Sequence, residues 1–146
     1  ATLEQLRTLE VLAGTVPVRG PGIELVVIDR AGVVDAAELL DAVQELRDAG
    51  AEAIEVDGVR WVAGSYVLDT EDGLSVDGVD VTAPYEVRAV GDAATLASAL
   101  AIPGGLIASL RDRGADVLVE QRREVTIGSL KPVEEPQYAR PAENSP

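Results

Sequence analysis

The sequence contains no cysteine, histidine, methionine or phenylalanine. Because cysteine is absent, the chain has no disulfide, no thiol nucleophile and no thiolate metal ligand. Because histidine is absent, it lacks the commonest general base and the usual nitrogen ligand of zinc. No GxxxxGK[ST] phosphate-binding loop occurs in the sequence. We therefore predict that the chain is not an enzyme and that it uses no cofactor and no metal.

Basic residues are also scarce, because 12 lysines and arginines stand against 26 aspartates and glutamates, for a formal net charge of -14. Nucleic acids and anionic membrane surfaces attract basic proteins, so both are excluded as direct partners. The chain has no run of about 18 apolar residues that could cross a membrane. It begins at Ala1 without a methionine, and we expect a longer protein in which an upstream segment supplies any membrane contact.

Aromatic residues make up 3% of the chain and hydrophobic residues 47%, so the core must be built from valine, leucine, isoleucine and alanine. A chain of 146 residues is enough for one domain with a buried core. We divide it into an N-terminal helix (1–14), a single α/β domain (15–130) and a tail (131–146). The tail holds four of the eight prolines and is predicted to be disordered.

The N-terminal helix is predicted from leucines at every third position, namely Leu3, Leu6 and Leu9. Gly14 is expected to end the helix. A helix of this length is marginal alone in water, so it must contact something. Two alternatives remain open: the helix packs on the domain, or it is the end of a coiled coil that continues upstream.

Residues 22–56 predict a strand, a helix and a second strand that runs parallel to the first. Asp35 and Glu38 have the spacing of a capping box that begins a helix. Gly50 is placed to end that helix. The preceding stretch, residues 15–22, is predicted to be a linker because it is interrupted by prolines and glycines.

Two Asp-Gly pairs between valines, at 57–58 and 77–78, predict hairpin turns of type I′. Arg60 and Trp61 come just after the first turn, and these residue types are favoured in binding hot spots. For Trp61 the alternative is packing in the core or at a sheet edge. The acidic stretch 69–73 lacks the spacing of an EF-hand calcium loop.

The second half of the domain repeats the strand–helix–strand pattern, with strands at 85–90 and 115–127, helical segments after Asp92 and at 106–113, and a polar interruption of the last strand at 121–124. The elements together predict an α+β fold, a ferredoxin-like βαβ-βαβ sandwich with an inserted antiparallel hairpin region and an N-terminal helix. The helices then cover one face of the sheet. Candidates for the open face are Glu24, Glu55, Glu86 and Arg88.

One turn suggests a small-molecule site. The segment IDRAGVVDAAELLDAV, with Asp29, Arg30 and Gly32 in its turn, resembles the strand-to-helix turn of ACT regulatory domains. In those domains an Asp-Arg-x-Gly turn at an interface receives amino acids, and N–H groups at the start of the helix would meet a carboxylate. The alternative is a turn in which Gly32 only supplies a permissive backbone.

The order of motifs along the chain is similar to that of the bacterial domain of unknown function 881, the YlxW-like family. The resembling stretches are Gly20-Pro21-Gly22, AELLDAVQELRDAGAEAIEVDGVRW, VDGVDVTAPYEVRAVGD, LASALAIPGGLIASLRDRG and the closing EVTI. They cover about residues 3–128. The resemblance implies an N-terminal transmembrane helix and a coiled coil, and then this domain outside the cytoplasmic membrane. It also implies genes near those for division or the envelope, and no enzymatic activity.

These observations support two functional hypotheses. The first is a non-enzymatic, extracytoplasmic interaction domain of a membrane-anchored bacterial envelope protein, linked to cell division or wall maintenance, which binds an envelope protein or associates with itself. The second is a small-ligand-binding regulatory module that resembles ACT domains. The residues predicted to contact a protein partner are Leu3, Leu6, Leu9, Arg60, Trp61 and Arg88, and those predicted to contact a ligand are Asp29, Arg30 and Gly32.

Overall fold

The computed structural model describes residues 2–132 and 136–142, and these residues form both helices and strands. Within this part of the chain the helices are α1 (Leu3–Ala13), α2 (Ala36–Asp48), α3 (Ala93–Leu100) and α4 (Leu106–Asp112). The strands are β1 (Val18–Ile28), β2 (Ala53–Val56), β3 (Val59–Trp61), β4 (Val67–Asp69), β5 (Leu74–Val76), β6 (Val79–Val81), β7 (Tyr85–Val90) and β8 (Asp116–Ile127). The prediction of a mixed fold of helices and antiparallel strands is confirmed.

Two antiparallel sheets make up the strand layer. The larger sheet has the order β3-β2-β7-β1-β8, and the smaller has the order β4-β5-β6. Strands β1 and β2 each pair antiparallel with β7, which lies between them. The two strands of the predicted strand–helix–strand unit are therefore parallel to each other, as expected, but they are not neighbours.

The helix ends that were predicted from local signals are confirmed. Helix α2 begins with a capping box, in which the side chain of Asp35 accepts from the N–H of Glu38 at 2.9 Å and the side chain of Glu38 accepts from the N–H of Asp35 at 3.2 Å. Asp92 caps α3 through the N–H of Thr95. Gly50 lies just beyond the end of α2 with a φ of 94°, a conformation that glycine adopts without steric cost.

The main core lies between one face of the larger sheet and helices α2, α3 and α4. Alternate residues of each strand point into it. From β1 and β7 these are Ile23, Leu25, Val27, Tyr85, Val87 and Ala89, and from the helices they include Leu39, Leu46, Leu96, Leu100 and Leu110. Burial of each large aliphatic side chain contributes about 1.5–3 kcal/mol, so a core with few aromatics is sufficient to hold the helices on the sheet.

The prediction of a linker over residues 15–22 is wrong from Val18 onward, because β1 begins there and continues through Pro21. The register between β1 and β8 shifts at this point, and a bulge of this kind accommodates a proline within a strand. Gly22 is required beside the bulge, because a Cβ on it would lie 1.9 Å from the carbonyl oxygen of Ala89.

The last strand and the chain after it also differ from the prediction. Strand β8 does not end at the expected interruption at 121–124 but runs along one edge of the sheet with those four side chains exposed, and the interruption is reduced to the shift of register opposite Pro21. Lys131, assigned to the tail, donates its N–H to the carbonyl of Gly14 at 2.7 Å, so the chain is still attached to the domain at this residue. Residues 136–142 are exposed and form neither helix nor strand. The disorder predicted for 133–135 and 143–146 lies outside the described residues.

Candidate functional site

Helix α1 carries a row of exposed leucines. Leu3, Leu6, Leu9 and Leu12 are 66%, 49%, 59% and 50% exposed. At about 100° per residue, leucines at every third position spread over roughly half of the helix circumference rather than forming a narrow stripe. The alternative in which these leucines pack on the domain is therefore wrong, and the apolar side of α1 is on the surface.

Polar contacts, rather than the leucines, attach α1 to the domain. The guanidinium of Arg60 donates to the carbonyl oxygens of Val11 at 3.0 Å, Val16 at 2.8 Å and Ser129 at 3.1 Å. These carbonyls belong to the end of α1, the stretch before β1 and the segment after β8. We call Arg60 and these three carbonyls the arginine clamp. Its position explains why Arg60, on the three-residue edge strand β3, is only 1% exposed.

Gly14 ends α1 against the arginine clamp. Its φ is 73°, and a Cβ on it would lie 2.8 Å from Cγ1 of Val62 and 2.9 Å from Cγ of Arg60. Both the backbone conformation and the lack of space therefore require glycine. The predicted end of the helix at Gly14 is confirmed, and the structure adds that this end is also the point of attachment.

Asp77 connects the segment after β8 to the hairpin of β5 and β6. Its carboxylate accepts from the hydroxyl of Ser65 at 2.8 Å, from the N–H of Tyr66 at 3.0 Å and from the ammonium of Lys131. Burial alone would raise the pKa of Asp77, but the hydrogen bonds from Lys131, Tyr66 and Ser65 outweigh burial and lower this pKa below its ordinary value. The ionised form of Asp77 is thus favoured by folding.

Asp57 occupies the same position in the other Asp-Gly turn but has a different environment. Both aspartates have positive φ, 46° for Asp57 and 49° for Asp77, which is typical of the predicted type I′ turns. One carboxylate oxygen of Asp57 accepts from the N–H of Glu86 at 2.9 Å. The other is buried and has no hydrogen-bond partner among the described residues. Burial raises the pKa of Asp57, and the nearby Glu86 carboxylate adds to this effect although the Glu86 N–H opposes it.

Replacement of the turn aspartate by asparagine is expected to change the free energy of unfolding in different directions in the two turns. Asparagine keeps either turn, because it tolerates positive φ. At neutral pH we expect Asp77→Asn to lower the free energy of unfolding by about 1–3 kcal/mol, because Lys131 and Ser65 lose a charged acceptor. Asp57→Asn removes a buried charge that is only half satisfied, and we expect a change between zero and a gain of about 1 kcal/mol.

The pH dependence of the two effects also differs in sign. The contribution of Asp77 is complete above the ordinary aspartate pKa and is lost as the pH falls through its lowered folded pKa. Ionised Asp57 lowers the free energy of unfolding at neutral pH, and this cost is relieved as the pH falls through its raised folded pKa. In acid, each variant therefore differs less from the parent in its free energy of unfolding. Urea denaturation of the parent and both variants, from about pH 7 to about pH 3, measures this. Equal losses from the two substitutions at neutral pH would contradict the assignment.

Trp61 and Arg88 lie in different environments. Trp61 is 6% exposed and packs in the main core, and its carbonyl accepts from the guanidinium of Arg47 at 3.2 Å. Burial of Trp61 and of Arg60 does not agree with the prediction that these side chains contact a partner, because neither is accessible. Arg88 does lie on the open face of the sheet, 3.7 Å from Glu24 and 3.5 Å from Glu86.

The open face of the larger sheet is partly covered by the chain itself. A second hydrophobic cluster lies on this face, formed by Val18, Ala53, Val90, Val125 and Ile127. The remaining part carries paired charges, since Arg122 is 3.2 Å from Glu24 and 2.7 Å from Glu120. Ion pairs at this degree of exposure contribute about 0–1 kcal/mol each. The charges predicted for this face are there, and they mostly contact one another.

The turn that resembles an ACT site uses its backbone N–H groups internally. The carboxylate of Asp29 accepts from the N–H groups of Val33 at 2.8 Å and Val34 at 2.9 Å. The side chain of Asp69 accepts from the N–H of Ala36, the first residue of α2, at 2.8 Å. The donors that a ligand carboxylate would need are therefore occupied by two carboxylates of this chain. Gly32 has a φ of 67° and serves the turn.

An acidic cavity of about 500 Å³ lies beside this turn. Its charged lining residues are Asp29, Asp35, Asp69, Glu71, Asp72 and Arg113. The guanidinium of Arg113 donates to the Glu38 carboxylate at 2.5 Å and lies 3.6 Å from Asp35, so its charge is already paired. Burial raises the pKa of Glu38, against the opposing effects of the Asp35 N–H and of Arg113. A carboxylate ligand would meet mostly negative charge here.

Neither a metal site nor a membrane span is evident in the described part of the chain. Among residues 2–132 and 136–142, no group of three or more acidic side chains is arranged to hold a metal ion. None of the helices in these ranges is both long and apolar enough to cross a lipid bilayer.

Comparison with known proteins identifies the family. Residues 5–140 match the family described as bacterial protein of unknown function (DUF881). A UPF0749 protein of Mycobacterium tuberculosis is 34% identical over 141 residues, which cover 94% of this chain and 48% of that protein. The UPF0749 protein YlxW of Bacillus subtilis is 31% identical over 141 residues, covering 90% of this chain and 60% of the relative.

The fold of a relative is also known. A crystal structure of an uncharacterized conserved protein from Mycobacterium tuberculosis superposes with a TM-score of 0.88 at 34% identity, covering 94% of this chain and 99% of that one. This chain spans about half the length of the mycobacterial relatives, 48%. The resemblance inferred from the sequence motifs is confirmed, and the chain belongs to the DUF881 family of bacterial proteins of unknown function.

Proposed function

We propose that this chain is a non-enzymatic interaction domain that presents helix α1 to a protein partner or to a second copy of itself. The observation that carries the proposal is the combination of four exposed leucines on α1 with the arginine clamp that fixes the end of the same helix. Apolar side chains grouped on one exposed element are typical of interaction sites. A short helix that is held only at one end gains stability from such a contact.

We further propose that the domain lies outside the cytoplasmic membrane of a bacterium as part of an anchored envelope protein linked to division or wall maintenance. The resemblance to the family implies a transmembrane helix, then a coiled coil, and then this domain outside the membrane. Membership of the family therefore supports this location. In that arrangement α1 continues an upstream coiled coil toward the membrane. The anchor requires a segment of about 20 apolar residues before Ala1 in the full-length protein.

The finer description of the fold belongs to the same proposal. The four longest strands of the described residues lie in the order β2-β7-β1-β8, with α2 after β1 and α3 and α4 after β7. Helices on one face and this strand order support a ferredoxin-like sandwich into which the smaller sheet is inserted. Small-ligand binding at the ACT-like turn is the weaker proposal, because the N–H groups of Val33, Val34 and Ala36 are already bonded.

The double substitution of Leu3→Asp and Leu6→Asp tests whether α1 mediates self-association. We expect it to lower the dimer population, because each buried leucine contributes about 1.5–3 kcal/mol and a buried aspartate opposes contact. Sedimentation velocity over a range of concentrations measures the change. Arg7→Gln with Thr8→Asp is the matched control, since it changes the charge of α1 equally and keeps the leucines. If the sedimentation profile of the leucine variant were the same as that of the parent, self-association through α1 would be contradicted.

A further inference from the structure

The segment after β8, residues 128–131, contacts three separate parts of the domain. The Ser129 carbonyl accepts from Arg60 at 3.1 Å, and the Ser129 hydroxyl donates to Glu55 on β2 at 2.5 Å. The N–H of Lys131 donates to the carbonyl of Gly14 at 2.7 Å, and its ammonium donates to Asp77. The segment thus joins the end of α1 to the sheet and to the hairpin of β5 and β6.

Helix α1 depends on these contacts because its own side chains contribute little to its attachment. Its residues are all exposed or only partly buried. Apart from those made by the adjacent Gly14 and Thr15, the hydrogen bonds that reach its C-terminal end come from Arg60, which also binds Ser129, and from Lys131 through Gly14. If residues 129–131 left the domain, Arg60 would lose one of its three acceptors and Gly14 would lose its contact with Lys131. Val11 and Val16 would remain as acceptors of Arg60, so α1 would stay tethered but free to pivot.

We propose that residues 128–131 form a strap that fixes the direction in which α1 leaves the domain. With the strap in place, α1 projects in one orientation relative to the sheet. With the strap released, α1 turns about Gly14 and the leucines lose their fixed position. The effect on partner binding rests on the proposed function of α1, whereas the strap itself rests only on the contacts of residues 128–131.

Distance measurement between spin labels tests the strap directly. Because the sequence has no cysteine, Thr8→Cys on α1 and Ser98→Cys on α3 give two unique labelling sites, both exposed. Dilution of the labelled protein with unlabelled protein suppresses the signal from pairs of labels on different molecules. In the full chain we expect one narrow distance distribution. A chain that ends at Gly128 lacks most of the strap, and we expect loss of the narrow peak and a broad distribution.

A chain that ends at Pro132 is the matched control, since it keeps the strap and lacks only residues 133–146, and its narrow peak should persist. Lys131→Met in the full chain removes the ammonium contact with Asp77, keeps the backbone contact with Gly14, and should broaden the distribution partially. If circular dichroism shows that the chain ending at Gly128 does not fold, the distance distribution of the Lys131→Met variant becomes the test. Partial broadening then supports the strap, and an unchanged narrow peak contradicts it. A narrow peak retained after loss of the strap, or equal broadening in the Pro132 control, would overturn the proposal. Neither outcome changes the sedimentation result for the leucines, so the two proposals fail separately.

Discussion

Replacement of Arg60 by alanine is expected to lower the free energy of unfolding by about 3–5 kcal/mol. The guanidinium is 1% exposed and donates to three carbonyl oxygens that belong to different parts of the chain. Removing it takes a charged donor from these partly buried carbonyls, of which that of Val11 also accepts from the N–H of Gly14, and the cost of an unsatisfied buried group is about 1–3 kcal/mol. Urea denaturation monitored by circular dichroism measures the loss.

Two further variants make the Arg60 experiment specific. Arg88→Ala removes an arginine from the same side of the sheet whose side chain is 38% exposed, and we expect a loss below about 1 kcal/mol. Arg60→Lys keeps the charge but has a single nitrogen in place of the planar guanidinium group. Most of the decrease in the free energy of unfolding that is expected for Arg60→Ala should therefore remain. If Arg60→Ala were no more destabilising than Arg88→Ala, the arginine clamp would not be a main attachment of α1.

Replacement of Gly22 by alanine is the second substitution with a large expected effect. The added Cβ would lie 1.9 Å from the carbonyl oxygen of Ala89 and 2.9 Å from its carbonyl carbon. Both atoms are backbone in the neighbouring strand β7, so the collision can be relieved only by separating β1 from β7. We expect a loss of about 3 kcal/mol or more, or failure to fold, measured by thermal and urea denaturation.

Gly64 provides the control for Gly22. A Cβ on Gly64 meets none of the described atoms within 4 Å, and its φ is not in the left-handed region. Gly64→Ala should therefore leave the stability unchanged or raise it by about 0.4–1 kcal/mol, because alanine restricts the unfolded chain. Tolerance of Gly22→Ala at the level of Gly64→Ala would show that β1 and β7 do not approach as closely as described.

The features predicted correctly from sequence depend on local signals. Asp35 and Glu38 define the start of α2 because the capping box closes within three residues. The Asp-Gly pairs at 57–58 and 77–78 predict their turns because few residues other than glycine, asparagine and aspartate tolerate the positive φ. The same logic located the end of α1 at Gly14. In each case the residue type and the backbone conformation that requires it are in the same short segment.

The features that sequence could not predict depend on partners far along the chain. Strand β1 continues through Pro21 because β8, about a hundred residues later, shifts its register there. Arg60 was predicted to contact a partner because it follows a hairpin turn and because arginine is favoured in binding hot spots. Its acceptors are carbonyls 44, 49 and 69 residues away, and every residue has a carbonyl, so this partnership has no signature in the sequence.

The leucines of α1 show an intermediate case. Their spacing predicted the helix, but it left open whether the helix packs on the domain. Leucines at every third position drift around the helix, whereas a core-facing helix such as α2 alternates spacings of three and four. This difference is present in the sequence and could have indicated a broad apolar surface. The polar contacts of Lys131 and Asp77 that help hold the helix could not have been found in this way.

The pairing of β1 with β8 has a mechanical consequence for a domain that is pulled by its ends. Val18 lies opposite Ile127, so both ends of the domain leave the sheet at the same side. Tension applied between α1 and the chain beyond β8 would first load the hydrogen bonds of Lys131 to Gly14 and Asp77, and after them the arginine clamp. It would then open the β1–β8 pair one bond after another from Val18, rather than shear the whole pair at once. The domain therefore yields gradually from one corner under tension, while the core beneath α2 is loaded last.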